Sequence, residues 1–472
     1  MKKNAKPNKN SLFLKNKKNA VRLNQEGLRL ILLGKTEDAI NCFEKSIKIS
    51  FNFPDPYFHL GNYYFQTNNP VKAEKYYLNA IKIDQNNPDF FFNLAILKYS
   101  KGLIDEATNL YKKCLDIDPS YTKSLKYLGN IYKDKKEFRR ALENNKQWKD
   151  FDPDNPEPYF NDALIHIRNG RFDLGWKLYE RGLENNIRDP FKGYYNENKS
   201  IWDGKIFDGV LLVYGEQGLG DQIIFGTVLP ELLKDQKNVI LKVDARLKNL
   251  FQYSFSNLKI YGEHEDIPNH SYDKYISIGS LCKFYRNHTD DFMNSTFKAY
   301  TFKQNLPLNF KNQISKLTNL KIGISWKTFA TKNDKKRSLT PLEVSTILRN
   351  NKNSFINLQY GEVNNEIEEI NQLTNNKLFT IKDLDLTQDL NSVISLIKEC
   401  DLIITIDNTI AHLSSSLGKI TWILLPYSAD FRWMENITAS LWYENTVLLR
   451  QNKNCNWKSV LDMINTALSG ED

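Results

Sequence analysis

The sequence predicts an α + α/β chain: an N-terminal α-solenoid of repeated helix pairs, followed by two Rossmann-like α/β lobes. Two observations predict it. Alanines at 39, 73, 107 and 141 recur at one constant step, the period of a repeated two-helix unit. From about residue 190 short β-branched runs alternate with helical or polar stretches, the pattern of buried parallel sheets.

The repeat is specified at more than one position. Small residues at 27, 61, 95, 129 and 163 keep the same step. Tyr57, Leu60, Gly61 and Tyr64 precede Ala73 and Tyr77, and Leu125, Leu128, Gly129 and Tyr132 precede Ala141. These are tetratricopeptide (TPR) spacings, in which small residues let two helices approach and aromatic or leucine side chains fill the gaps. Pro119 and Pro153 fall where second helices must end. Units are expected at 20–53, 54–87, 88–121, 122–155 and 156–189, the last degenerate, with Gly175 in place of the second-helix alanine and Trp176 beside it. Terminal units depart from consensus where they cap a stack or meet a neighbour. Such arrays bind partners mainly along their first helices. Asn62, Asn93, Asn130 and Asn161 lie there as candidate groove residues for a peptide or protein partner.

Composition bounds the rest. The chain has 472 residues, 41% apolar and 12% aromatic, enough for about three domains with real cores. Net charge is +9, and the stretch from Met1 to Lys18 holds seven lysines and no acid. That stretch lacks the apolar centre of a secretory signal and reads as a basic disordered tail over 1–19. Peripheral contact with an acidic surface through this tail is the one membrane role expected, with no span and no nucleic-acid partner. Cys42, Cys114, Cys282, Cys400 and Cys455 form no CxxC pair, which predicts neither zinc nor disulfides and fits the cytoplasm.

Strands are expected at VLLVYG (210–215), NVILKVD (238–244), KYISIG (274–279), LKIGISW (320–326), SFINLQY (354–360), KLFTI (377–381), DLIITID (401–407) and ITWILLP (420–426). They divide into lobes at 190–319 and 320–472. Ligands of such sheets lie beyond the carboxyl ends of the strands, so the residues following each strand are the candidates. After the first run comes GEQGLGDQ (215–222), whose glycines read G-x-x-G-x-G. Strand, glycine loop and helix form a phosphate cradle in dinucleotide folds. Here Asp221 occupies the first turn, where a carboxylate repels a pyrophosphate but suits proton abstraction from an acceptor hydroxyl. Gly218, Gly220 and Gln222 then form an acceptor loop, the glycines letting the acceptor approach. In the second lobe, a helix starting near Thr409 offers free N–H groups to a diphosphate, and His412 leans back toward the same place. Asp407 and Asn408 precede it. Ser325, Lys327 and Gln359 end neighbouring strands, and Lys332, Lys335, Lys336 and Arg337 make a cationic loop suited to a leaving diphosphate. As plain structure, Asp407 or Asn408 is a helix cap, His412 a satisfied polar residue and the cations a solvated run.

GEQGLGDQIIF, GISWK, RSL, LQYGE, DLIITIDNTIAHLSSSLGKITWILLP, DFRWM, LWYEN and LLRQ together resemble the bacterial TPR-containing glycosyltransferases. The catalytic half of that family is similar to the ADP-heptose:lipopolysaccharide heptosyltransferases. The resemblance spans about 200–468 and, with the repeats, most of the chain. It implies a GT-B fold of two facing Rossmann-like lobes, with a nucleotide-sugar donor on the second and a glycan or protein acceptor nearer the first. It implies inversion without a metal or cofactor, with Asp221 of the Gly220-Asp221 pair as catalytic base. The donor-phosphate motif falls on Asp407, Thr409 and His412, with Ser325 after the first strand of that lobe. Arg337 stands where the family carries a lysine. Asn408 intervenes between acid and threonine, a spacing not shared by every heptosyltransferase. The TPR-bearing O-linked N-acetylglucosamine transferases share the outline, but their catalytic domain is longer than the stretch of chain that follows the repeats. Two other readings stand beside this one: a non-catalytic TPR scaffold, and an NAD(P)-dependent oxidoreductase using the Gly215 loop and Asp244.

Overall fold

The structure, a computed structural model, describes residues 9–188, 199–317, 319–329, 336–349 and 352–469. It divides into two compact units, 1–158 and 159–472.

The first unit is a run of antiparallel helix pairs: α1 (Lys9–Leu32) with α2 (Thr36–Ile49), α3 (Asp55–Gln66) with α4 (Pro70–Ile83), α5 (Pro88–Ser100) with α6 (Ile104–Ile117), and α7 (Thr122–Asp134) with α8 (Phe138–Phe151). Ala39, Ala73, Ala107 and Ala141 are fully buried on the second helices. The small residues of the first helices have a measurable reason. A Cβ on Gly27 would lie 2.5 Å from the Phe43 ring, and one on Gly61 would lie 2.6 Å from Tyr77. Residues 9–19, expected in a disordered tail, are helical instead. Once Ala20 and Asn24 bury against the second helix, with Ser46 donating 2.8 Å to the Ala20 carbonyl, extending the helix back adds a hydrogen bond per residue without a new nucleation cost. The remainder of the expected tail, 1–8, lies outside the described residues.

The second unit contains two five-stranded parallel sheets. The first comprises β1 (Ser200–Ile201), β2 (Leu211–Tyr214), β3 (Val239–Val243), β4 (Lys259–Gly262) and β5 (Lys274–Ser277), in the order β1-β5-β2-β3-β4. The second comprises β6 (Lys321–Ser325), β7 (Ser354–Asn357), β8 (Leu402–Ile406), β9 (Thr421–Leu425) and β10 (Thr446–Arg450), in the order β10-β9-β8-β6-β7. The chain reverses direction across the first sheet between β2 and β5, and across the second between β6 and β8. Those switch points open a crevice at the carboxyl ends of the strands.

KLFTI (377–381) is no strand: it gives a single bridge, Phe379 to Ile356. Its partner β7 is only four residues long, and Asp383, at φ +65°, turns the chain away. No described helix is long and apolar enough to cross a membrane.

The degenerate fifth unit, α9 (Pro156–Arg168) and α10 (Phe172–Tyr179), is expected to close the repeats at 189, yet the division at 158 assigns nearly all of it to the α/β unit. Ala163, Ile167, Phe172, Trp176 and Tyr179 share one apolar core with Phe225, Phe431 and Trp442. The Trp176 indole donates 2.7 Å to the Arg286 carbonyl. Gly175 is where α10 presses on α9, since a Cβ there would meet Ile167 at 2.5 Å.

Candidate functional site

At the β6/β8 switch point, side chains from three strand ends are tied together. Gln359, just past β7, accepts hydrogen bonds at Oε1 from the Ser325 hydroxyl (3.0 Å) and from the backbone N–H groups of Trp326 (2.8 Å) and Lys327 (2.7 Å). Asn408 Nδ2 donates to Ser325 Oγ (2.8 Å). Asn408 also caps the Thr409–Ser416 helix, its Oδ1 accepting from Ile410 N (3.0 Å) and Ala411 N (3.4 Å). Two of the N–H groups expected to be free are therefore satisfied by the cap. Ser325, Gln359 and Asn408 are buried and brace the site, while Thr409 at the first helical position is partly open.

Two cations of this face are partnered, while Lys336 is exposed. Arg337 Nη2 donates to the Asp407 carboxylate (2.8 Å) and carbonyl (2.9 Å), and Lys327 pairs with Glu366. Lys332 and Lys335 lie outside the described residues.

His412 is buried, stacked on Trp433 at 5.1 Å and 20°, and hydrogen-bonded through Nδ1 to the Tyr443 hydroxyl at 3.0 Å. Burial pushes its pKa down to about 4, with the Asp407 charge opposing and Arg337 adding to the fall, so the imidazole is neutral at pH 7.

The loop after β2 meets this helix. Gly220 lies so close to His412 that a Cβ would sit 2.7 Å from its ring carbon Cδ2. None of the glycines at 215, 218 and 220 has a positive φ; the left-handed residue of the loop is Gln217, at +57°. The glycines permit close approach instead: Gly215 is covered by the Gln222 side chain and Gly220 by His412. Gln222 is buried and accepts from Asp244 N (2.8 Å), tying the loop to the end of β3. The Asp244 carboxylate is taken by Arg246 through Nε (3.0 Å) and Nη2 (2.8 Å).

Asp221 Oδ2 accepts from Gly218 N (3.2 Å), closing the first turn of the Leu219–Phe225 helix. Its other oxygen pairs with Arg432, whose guanidinium also holds Asp430. Burial and the neighbouring Asp407 charge push the Asp430 carboxyl up to about 6. Behind the loop, Arg188 pairs with Glu216, both fully buried, and donates to Glu180 (2.9 Å) and Ser280 (2.7 Å). Gln217 donates to the Tyr179 hydroxyl at 2.7 Å.

Residues 27–68, 54–87 and 88–121 match tetratricopeptide-repeat families. The repeats are a protein-interaction fold. Protein FlbA of Caulobacter vibrioides is 25% identical over 333 residues, covering 66% of this chain and 54% of FlbA. A match of that length cannot fit within the first unit, which ends at Pro158, so part of it lies in the second unit. Human protein O-mannosyl-transferase TMTC3 is 25% identical over 257 residues, 54% of this chain and 23% of that protein. The chain thus spans about half of FlbA and less of TMTC3. Among solved structures, MamA is 19% identical with a TM-score of 0.32, covering 34% of this chain and 94% of MamA.

Among the candidate groove residues, Asn62 accepts from the Tyr77 hydroxyl at 2.8 Å and Asn93 donates to the Asp89 carbonyl at 2.8 Å, contacts within a repeat or a helix. Asn130 and Asn161 are half-buried. Reasoning from motifs missed Arg432, Asp430, Tyr443, Glu216 and Arg188. DFRWM and LWYEN stand out only through resemblance, and nothing local in the sequence marks Arg188 as the partner of Glu216.

Proposed function

We propose that the second unit is a GT-B glycosyltransferase, inverting and independent of metal, which takes a sugar from a nucleotide-sugar donor to a hydroxyl of a glycan or protein. The repeats recruit that acceptor or a partner protein. The observation that carries this reading is the contact of Gly220 with His412, which brings the Asp221 loop of one switch point against the Thr409 helix of the other. A donor diphosphate beyond β6 and β8 would meet Thr409 and the guanidinium of Arg337, with Ser325, Gln359 and Asn408 holding the frame.

In the step itself the acceptor oxygen bonds to the anomeric carbon, and the carbon–oxygen bond to the diphosphate breaks. The electron pair leaves with the nucleoside diphosphate, and the acceptor's proton goes to Asp221. The similarity of TMTC3, by name a protein O-mannosyl-transferase, agrees with a transferase joined to an interaction array.

A thermal-shift panel of nucleoside diphosphates and nucleotide sugars tests the donor site. With a donor in hand, Asp221→Asn lowers kcat by about 10²-fold or more, the range of a general base, while nucleotide binding survives. Unchanged turnover refutes the role. The second reading, a TPR scaffold without catalysis, is favoured by the carboxylate partners already on Lys327, Arg337 and Arg432. A panel with no shift for any nucleotide selects it.

A further inference from the structure

Among the described residues, Arg432 is the one guanidinium that touches the candidate base. It pairs with Asp221 from the first lobe and with Asp430 beside it in the turn Phe431–Trp433. Its side chain is only 12% exposed, and its Nε–H is buried without an acceptor among the described residues. One guanidinium thus carries two carboxylates and still has a donor to spare. Its position relative to the helix is fixed from both sides. His412 lies against Gly220, the neighbour of Asp221, and stacks on Trp433, the neighbour of Arg432. The Asp221–Arg432 pair therefore sits beside the ring of His412, one turn into the Thr409–Ser416 helix.

Such a pair is incompatible with free base action. A carboxylate beside a buried guanidinium is a poor proton acceptor, because the adjacent positive charge favours its ionised form. We propose that Arg432 is a ligand of the donor diphosphate, and that binding of the diphosphate exchanges its partner, freeing Asp221 only when a donor is in place. The proposal rests on the transferase reading and extends it. Guanidinium suits the exchange, since its fork fits phosphate and carboxylate oxygens alike and stays charged throughout. Asp430 remains as the second partner, so the arginine is held near the site in both states. The unused Nε–H supplies a further bond to a phosphate oxygen. Without a donor, the masked base leaves acceptor hydroxyls and water untouched.

The test measures binding of ADP, GDP, UDP and inorganic pyrophosphate to the full chain by calorimetry, for wild type, Asp221→Asn and Arg432→Gln. Asn at 221 keeps the shape and the bond to Gly218 but gives up the charge that competes for Arg432. Diphosphate affinity then rises about three- to tenfold, while Arg432→Gln lowers it about tenfold or more, as expected for loss of a charge-assisted contact. The gain in Asp221→Asn needs no loss of buried charge on Arg432, so it stands as evidence even where Arg432→Gln fails to fold. Wild-type binding with no gain in Asp221→Asn, or with full affinity in folded Arg432→Gln, overturns the exchange and leaves the transferase reading intact. No diphosphate binding by wild type overturns both.

Discussion

Replacing Gly220 by alanine in the first turn of the Leu219–Phe225 helix ought to help that helix, by up to about 1 kcal/mol. In this protein it does the reverse. The new Cβ would stand 2.7 Å from His412 Cδ2 and 3.3 Å from Nε2. The ring has nowhere to go, because it is stacked on Trp433, hydrogen-bonded to Tyr443 and only 4% exposed. Overpacking of this kind costs about 1–3 kcal/mol, so the net expectation is a loss of up to about 2 kcal/mol. Urea unfolding followed by tryptophan fluorescence reads it, since seven of the eight tryptophans lie in 159–472. The deciding comparison is the same substitution in a His412→Ala background. With the ring gone the steric term vanishes and Gly220→Ala becomes neutral or stabilising, a change of sign between backgrounds at unchanged m-value. An equal loss in both backgrounds refutes the idea that the glycine exists to admit His412.

His412 also carries a pH signature. Its folded pKa of about 4 lies below the unfolded value of 6.5, so the unfolded chain takes up the proton first. Stability from this group is full above pH 6.5 and is lost as pH falls toward 4, by about 3 kcal/mol. Asp430, raised to about 6, runs the other way over much of the same range, gaining stability as pH falls. The measurement is therefore the difference between wild type and His412→Gln, which shrinks from pH 7 to pH 4; a flat difference contradicts the buried neutral imidazole. At the Arg188–Glu216 pair, both partners fully buried, Arg188→Ala costs about 3–5 kcal/mol by leaving a buried carboxylate without its cation. The paired change Arg188→Met with Glu216→Gln recovers much of that loss in the same urea assay.

What the sequence makes legible follows from how local each signal is. The TPR register is written in alanines and glycines that recur at one period, and the buried strands of both sheets are continuous apolar runs. β4, carrying Lys259 and Tyr261, β1, two residues long, and β10, whose apolar run is only Val447–Leu449, lack a long run and escape a reading by pattern. KLFTI has the composition of a strand but only the short β7 to pair with. At the candidate site, Asp221, Asp407, Thr409 and His412 lie in the stretches that follow strands, where folds of this class hold ligands, and so pattern alone nominates them. Their present partners cannot. Arg432 is far from Asp221 in the chain, as Arg188 is from Glu216, and only the folded chain brings the charges together. Gln359 and Asn408 look like ligand groups by position, yet their amides are occupied in joining strand ends.

The embedding of α9 and α10 in the α/β core has a consequence for how this chain can vary. Upstream of residue 155, a repeat unit is an interchangeable part: adding or removing one changes the length of a surface and leaves each neighbour a similar face to pack on. The fifth unit has lost that freedom. Trp176 completes a core, Tyr179 steadies Gln217, and Arg188 neutralises Glu216. A graft that exchanges repeat arrays between relatives must therefore cut before α9, because a cut at 189 removes a wall of the candidate site along with the repeats.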